Sequence, residues 1–306
     1  MTRTSATDLR VLPTEQNNPA ARELDTLSAL EIARLINDED ASVATAVRRA
    51  LPQIARAIDL VAASLRAGGH LIYVGAGTSG RLGALDASEI PPTFNTAPNT
   101  VQYVMAGGPK ALGASTEASE DDTRLAVAEM KKRKPGKKDV VIGIASSGRT
   151  PFTIAALEYA RKRGAHTVAI VCVRNSPLER AADFAIITEV GPEVLAGSSR
   201  MKAGTAHKMV LNMISTGAMT RLGYVYRDLM VNVWTKNEKL TQRAIRIIEQ
   251  ATAASHDAAA HALKASGNRT PLAVVMLAAG VSKTQAAAAL KKSRGHVRRA
   301  IAAATS

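Results

Sequence analysis

The period of hydrophobic and polar positions changes twice along the chain. From Ala20 apolar residues return near helical spacing at Leu24, Leu27, Leu30, Ile32, Leu35 and Ile36, until Asn37-Asp38-Glu39-Asp40 breaks the pattern. A second stripe of Val43, Val47, Leu51, Ile54, Ile58, Val61 and Leu65 predicts a helix from about Ser42 to Ala67. Pro52 kinks or divides it, and Gly68-Gly69 stops it. From His70 the pattern becomes short β-branched runs at 70–75, 101–105, 139–144, 167–172 and 184–188. Helical stretches at 79–88, 115–132, 150–163 and 177–182 lie between them. Near-continuous apolar strands alternating with helices predict a parallel sheet covered on both faces. Helical period then returns over 199–221 and near 231–260. The Ala-rich remainder, about 255–306, reads as three short helices punctuated by Gly267-Asn268, Gly280 and Gly295, one of them capped by Ser282. The expected organisation is an N-terminal arm with helices over 1–68, an α/β domain over 69–230 and a helical region over 231–306. Residues 1 to about 20 read as irregular, and no internal repeat stands out.

Two stretches join a strand to a helix through glycine and hydroxyl residues. The first is Leu71-Ile72-Tyr73-Val74-Gly75-Ala76-Gly77-Thr78-Ser79-Gly80-Arg81-Leu82-Gly83. Its glycines admit φ > 0 and close approach of a ligand to the backbone. Thr78 and Ser79 fall where a helix presents unpaired N–H groups, a combination that suits an anion, most often a phosphate. The second is Val140-Val141-Ile142-Gly143-Ile144-Ala145-Ser146-Ser147-Gly148-Arg149-Thr150. Gly75, Gly77 and Gly80 satisfy the dinucleotide spacing G-x-G-x-x-G, but no acidic residue closes a second strand about twenty residues on. A phosphorylated small molecule fits better. Helix capping is the competing role for Ser147 and Thr150, and a cap and a phosphate ligand can share one geometry. A third stretch, Gly191-Pro192-Glu193 through Gly197-Ser198-Ser199-Arg200-Met201-Lys202-Ala203-Gly204 to His207-Lys208, crowds polar and cationic groups around glycines at a helix start. It reads as a ligand-facing loop, although Arg200 and Lys202 taken singly fit solvated side chains equally well.

Composition narrows the classes. The chain has 306 residues, 46% hydrophobic but only 3% aromatic, so Ala, Val, Leu and Ile must fill the core. The single cysteine, Cys172, lies inside an apolar run and reads as a small buried hydrophobe. It excludes an intrachain disulfide and fits a reducing cytoplasm. No apolar leader or membrane span is expected. The net charge of +14 is concentrated in Lys131-Lys132-Arg133-Lys134-Pro135-Gly136-Lys137-Lys138 and in the region after Asp257, which has no Asp or Glu. Neither block has aromatic neighbours to stack bases, so a solvated surface is favoured over nucleic acid. The histidines show no metal-ligand spacing, and His207 alone falls in a candidate loop. Two carboxylate groups invite acid–base roles. Glu89 follows the first glycine turn, at the expected end of its helix before Pro91-Pro92. Glu117-Ala118-Ser119-Glu120-Asp121-Asp122 is the other, by default an exposed helix start.

Taken together these motifs resemble the N-acetylmuramic acid 6-phosphate etherase family. The residues that carry the resemblance are Tyr73 to Gly83, Leu85-Asp86-Ala87-Ser88-Glu89, Pro91-Pro92-Thr93-Phe94 and Gly191-Pro192-Glu193 with Gly197 to Ala206. Thr14-Glu15 to Asn18-Pro19 and Asn37-Asp38-Glu39-Asp40 add to them. The likeness covers roughly residues 14 to 300. It implies a SIS-type (sugar isomerase) α/β fold: a parallel sheet flanked by helices, with N-terminal helices and a small C-terminal helical bundle. It implies cleavage of the D-lactyl ether of N-acetylmuramate 6-phosphate, with no metal or other cofactor, in a cytoplasmic homodimer. By the same resemblance the two active-site glutamates fall on Glu89 and Glu120. SIS analogy places the 6-phosphate on Ser79, Ser146, Ser147 and Thr150, with Thr78, Gly80, Glu193, Ser198, Ser199, Arg200 and Lys202 as further substrate-binding positions. The chain departs from the family at Ser199, usually Thr, and at His207, usually Gln. His207 is expected to titrate near neutrality. Ala145 replaces a hydroxyl often found in the second turn.

Three rival readings remain at this level. One is a non-catalytic SIS phosphosugar-binding regulator, like the glucokinase regulatory protein. The others are a SIS-containing transcription regulator, prompted by the basic charge, and a sugar-phosphate isomerase using the same C2 chemistry. Retention of both Glu89 and Glu120 argues for an enzyme over the non-catalytic regulator.

Overall fold

The computed structural model describes residues 12–114 and 117–305. After 3-10 turns at Pro13–Glu15, Pro19–Ala21 and Leu24–Thr26, the helices α1 (Ala29–Arg49) and α2 (Leu51–Arg66) lead into the sheet. The next elements are β1 (Leu71–Gly75), α3 (Gly77–Phe94), β2 (Val101–Met105), α4 (Thr123–Arg133), β3 (Val140–Ile144), α5 (Pro151–Lys162), β4 (His166–Val171), α6 (Pro177–Ala181), β5 (Phe184–Ile187) and α7 (Lys202–Arg221). A two-stranded hairpin, β6 (Val225–Tyr226) and β7 (Leu229–Met230), precedes α8 (Glu238–Thr252), α9 (His256–Ala265), α10 (Thr270–Ala279), α11 (Lys283–Lys292) and α12 (Val297–Thr305). The described residues divide into two compact units. The first runs to Ala87 and resumes over Asn99–Ile214; the second is Ser88–Pro98 with Ser215 onward.

In the first unit all five strands are parallel, in the order β2-β1-β3-β4-β5. The five strand positions match the apolar runs of the sequence to within a residue or so. β1 and β3 are buried along their whole length, which explains why they lack alternation. One face carries Ile72, Val74 and Val141 against Phe152, Leu157 and Met130. Each such side chain contributes about 1.5–3 kcal/mol on burial. The chain leaves β1 for β2 on one side and returns to β3 on the other. The β1/β3 boundary is therefore the topological switch point, where ligands bind at the carboxyl ends of strands.

Helix boundaries differ from the sequence pattern in instructive ways. The stretch from Ala20 does not join α1; a capping box of Ser28 with Glu31 starts the helix at Ala29. α1 then passes straight through Asn37-Asp38-Glu39-Asp40, because burial of Val43, Ala46 and Val47 outweighs weak propensity. Pro52 sits in the first turn of α2, so it divides two helices rather than kinking one. α3 does not stop at Pro91-Pro92. Pro91 cannot donate to the carbonyl of Ala87, yet its own carbonyl accepts from the Asn95 N–H and the Trp234 indole, both at 2.9 Å. Asn232 Nδ2 donates to the Phe94 carbonyl, and Ile90 and Phe94 are buried. Within 115–132, residues 115 and 116 lie outside the described residues. The rest is a 3-10 turn over Glu117–Asp121 followed by α4, which Asp122 caps.

In the second unit the single helix expected near 231–260 is two, because Ala253 takes φ +57 and Ser255 caps α9. The β6–β7 hairpin, two residues per strand, left no readable period. Small residues close the packing around Ile248, Leu263, Leu272, Val274 and Val275.

Candidate functional site

The first turn is built backbone against backbone. A β-carbon on Gly75 would stand 2.8 Å from the Gly80 nitrogen, and one on Gly80 would stand 2.7 Å from the Gly75 carbonyl oxygen. Strand and helix touch there, so these two glycines serve packing rather than ligand approach. Gly77, at φ +51, is the one that needs the left-handed region. α3 is held down by a buried network. The Tyr73 hydroxyl donates to Asp86 Oδ2 at 2.9 Å, and Asn212 Nδ2 donates to Asp86 Oδ1 at 2.9 Å. Burial, and then the Asp86 charge, pushes the Tyr73 phenol well above its ordinary value. Asp86 is thus an anchor joining β1, α3 and α7.

The second turn follows β3, beside the first. Gly75 and Ile144 are paired across β1 and β3. Ser146 is buried, Ser147 and Thr150 half-buried. Ser147 Oγ accepts from the Arg149 N–H at 3.3 Å. Thr150 is the N-cap residue of α5 but makes no side-chain cap hydrogen bond. The competing capping role therefore does not occupy its hydroxyl. Gly148, at φ +66, packs on Ser176.

The third stretch folds back on the first turn. A β-carbon at Gly204 would touch Thr78 Cγ2 at 3.5 Å. Ser198 and Ser199 are half-buried in the loop, and Arg200 is exposed. Glu193 is buried, and its two oxygens accept the Lys202 and Ala203 N–H groups at 2.8 and 3.0 Å, which caps α7. The Lys202 ammonium is 4% exposed and pairs with Glu39. That bond holds the Glu39 carboxyl below its ordinary value. The N-terminal motif meets the same loop, since the Gly197 N–H donates to the Thr14 carbonyl at 3.2 Å. Thr14, Glu39, Glu193 and Lys202 thereby fix one loop, a convergence that spacing along the chain cannot display.

His207 corrects an expectation. It lies inside α7, fully buried, with Nδ1 3.4 Å from Ser79 Oγ and Nε2 3.6 Å from Cys172 Sγ. Burial pushes its pKa down to about 4, so it does not titrate near neutrality. Cys172 is buried as expected, and burial raises its thiol to about 12, far from a nucleophile's range.

Of the two glutamates, Glu120 lies in the first unit beside the first turn. A β-carbon on Gly77 would stand 3.2 Å from Glu120 Oε1. Arg81, to which the sequence pattern assigns no role, supports this placement. Its Nε donates to the carbonyls of Ala111 and Leu112 at 3.1 and 3.2 Å, and its Nη2 to that of Ala114 at 3.0 Å. It therefore clamps the backbone of residues 111–114, which precede Glu120 in the chain. Glu89 is exposed on α3, within the second unit, and is not the last residue of its helix. Among the described residues no group of three or more His, Cys, Asp or Glu side chains could hold a metal ion. No single helix among them is long and apolar enough to cross a membrane.

Comparison with known proteins places these features. A family model described as SIS domain matches residues 125–216, and one described as glucokinase regulatory protein N-terminal SIS domain matches residues 53–161. The N-acetylmuramic acid 6-phosphate etherase of Symbiobacterium thermophilum is 55% identical over 275 residues, 90% of this chain and 91% of that protein. The protein of the same name from Yersinia pestis is 50% identical over 293 residues, 96% of this chain and 99% of that one. Among solved structures, a phosphoheptose isomerase from Francisella tularensis is similar with a TM-score of 0.49 and 16% identity, over 63% of this chain and 100% of that one. The α/β core has the SIS fold.

Proposed function

This chain belongs to the N-acetylmuramic acid 6-phosphate etherase family, carbon–oxygen lyases, and we propose that it cleaves the D-lactyl ether of N-acetylmuramate 6-phosphate. The products are N-acetylglucosamine 6-phosphate and D-lactate. The observation that carries the reading is Glu120 beside Gly77, a carboxylate at the turn suited to a phosphate.

Opening of the sugar exposes an aldehyde at C1, which acidifies the C2 proton. Glu120 removes that proton, and the C3–oxygen bond breaks as Glu89 protonates the departing lactate. Water activated by Glu89 then adds at C3, and Glu120 returns the proton to C2. Neither step calls on a metal or other cofactor. Ser79, Ser146, Ser147 and Thr150 hold the 6-phosphate together with the helix N–H groups behind them. Thr78, Ser198, Ser199 and Arg200 border the sugar, while Gly80 packs against β1 beneath them. Glu193 and Lys202 act by fixing the loop that carries the last three. The working form is a cytoplasmic homodimer that takes a phosphorylated amino sugar and no nucleic acid.

The division of labour is tested with Glu89→Gln in deuterated water. Lactate release should stop while C2 proton exchange stays detectable. Loss of exchange in a folded Glu89→Gln protein reverses the two roles. A second reading, a non-catalytic phosphosugar-binding regulator, is favoured by the match of residues 53–161 to the glucokinase regulatory protein model. Phosphosugar binding without lactate production would select it.

A further inference from the structure

We propose that His207 is a positioning residue that aims the Ser79 hydroxyl at the substrate phosphate, itself held from behind by the Cys172 thiol at the end of β4. The proposal rests on the reading of Ser79 as a phosphate ligand.

Four buried polar side chains form a row. Ser79 Oγ meets His207 Nδ1 at 3.4 Å, His207 Nε2 meets Cys172 Sγ at 3.6 Å, and Cys172 Sγ meets Thr188 Oγ1 at 3.5 Å. Thr188 Oγ1 in turn donates to the Val171 carbonyl at 3.4 Å. All four residues are buried. Cys172 and Thr188 follow β4 and β5 directly, so the row ties the first turn to the carboxyl ends of two other strands. Polar groups are retained in such packing when hydrogen bonds satisfy them.

The direction of the hydrogens follows from the ligand. A phosphate dianion can only accept. A Ser79 hydroxyl in contact with it spends its single hydrogen on the phosphate, so its lone pairs must accept from behind. The side chain behind is the imidazole, which therefore carries its hydrogen on Nδ1. Nε2 is then an acceptor, and the Cys172 thiol, protonated at neutral pH, donates to it; the Thr188 hydroxyl, whose hydrogen goes to the Val171 carbonyl, meets the sulfur with no hydrogen between them. Neutral His207 thus fixes the Ser79 oxygen and turns its hydrogen outward. Charged imidazole has no place in the row, because Nε2 would lose its acceptor role.

The test uses the full-length protein with N-acetylglucosamine 6-phosphate as the bound probe. Histidine 15N chemical shifts, assigned by comparison with His207→Gln, should show the neutral Nδ1–H tautomer in the bound state. A bound-state Nε2–H tautomer overturns the proposal, and this readout is taken on the native protein. In kinetics, His207→Leu should raise KM for N-acetylmuramate 6-phosphate about tenfold, the loss of one buried hydrogen bond, with kcat changed far less. His207→Gln, which keeps an N–H donor, should restore most of it. Equal KM in His207→Leu and the native protein contradicts the role. Ser79→Ala separates the two levels. If it leaves affinity for the probe unchanged, the reading of Ser79 as a phosphate ligand fails. If it weakens affinity while His207→Leu does not, the positioning role alone fails.

Discussion

Glu120 lies against Gly77: a β-carbon on that glycine would stand 3.2 Å from the carboxylate oxygen Oε1. Gly77 also sits at φ +51, where an L side chain costs about 1–2 kcal/mol. Gly77→Ala should therefore fold with a modestly lower melting temperature and crowd the Glu120 carboxylate, which has to give by a few tenths of an ångström. C2 proton exchange should fall several-fold, since misplacing a reacting group by 1 Å costs about 10²-fold. Thermal unfolding and exchange measured on one preparation check this. Native exchange in Gly77→Ala would show that Glu120 does not work from this position.

Arg81 offers a second handle on the same carboxylate. Three backbone carbonyls, those of Ala111, Leu112 and Ala114, accept from its guanidinium. An ammonium cannot reproduce that fork. Arg81→Lys should keep its charge and fold yet lose about 10²-fold in kcat through a loosened Glu120, with KM little changed. A variant that loses only KM would assign Arg81 to substrate binding instead.

The buried Lys202–Glu39 pair predicts a stability effect. Glu39→Gln leaves the Lys202 ammonium, 4% exposed, without its anion. Removing one partner of a buried pair costs about 3–5 kcal/mol. Glu39 is itself partly exposed, so the lower end is expected, read as a shift in denaturant midpoint at unchanged slope. The Glu39 carboxyl is held below its ordinary value chiefly by Lys202. Its contribution is therefore complete above the ordinary carboxylate range and is lost as pH falls through the lowered value.

His207 predicts a second, separable acid response. Its ordinary value is 6.5 and burial lowers it to about 4 in the folded chain. Between those values the unfolded chain binds a proton that the folded chain refuses, so stability falls as pH drops from 6.5 toward 4. His207→Gln should flatten the stability–pH curve in that window and leave the lower Glu39 response in place. An unchanged curve would place the imidazole in contact with water.

Much of the architecture was legible because buried parallel strands write themselves as unbroken apolar runs. All five strands fall where those runs lie. The helix limits were less legible. Whether Pro91-Pro92 ends α3 depends on Trp234 and Asn232, far along the chain, which supply donors to the Pro91 and Phe94 carbonyls. The start of α1 was readable in Ser28-x-x-Glu31, a local signal. At the site, hydroxyl and glycine residues marked the two turns correctly in place. That Gly75 and Gly80 serve packing was not visible, because they are required by each other's backbone, which only the fold brings together. Glu193 and Lys202 looked like ligand groups for the same reason: a capped helix and a paired lysine share the composition of a binding loop.

Elimination across C2–C3 followed by water addition leaves a signature in isotopic water. The protein is incubated with N-acetylmuramate 6-phosphate in H2(18)O, and both products are weighed by mass spectrometry. These two steps put one heavy oxygen at C3 of N-acetylglucosamine 6-phosphate and release D-lactate whose 2-hydroxyl oxygen is unlabelled. Heavy oxygen in that lactate hydroxyl, or no lactate at all from the folded protein, would rule them out.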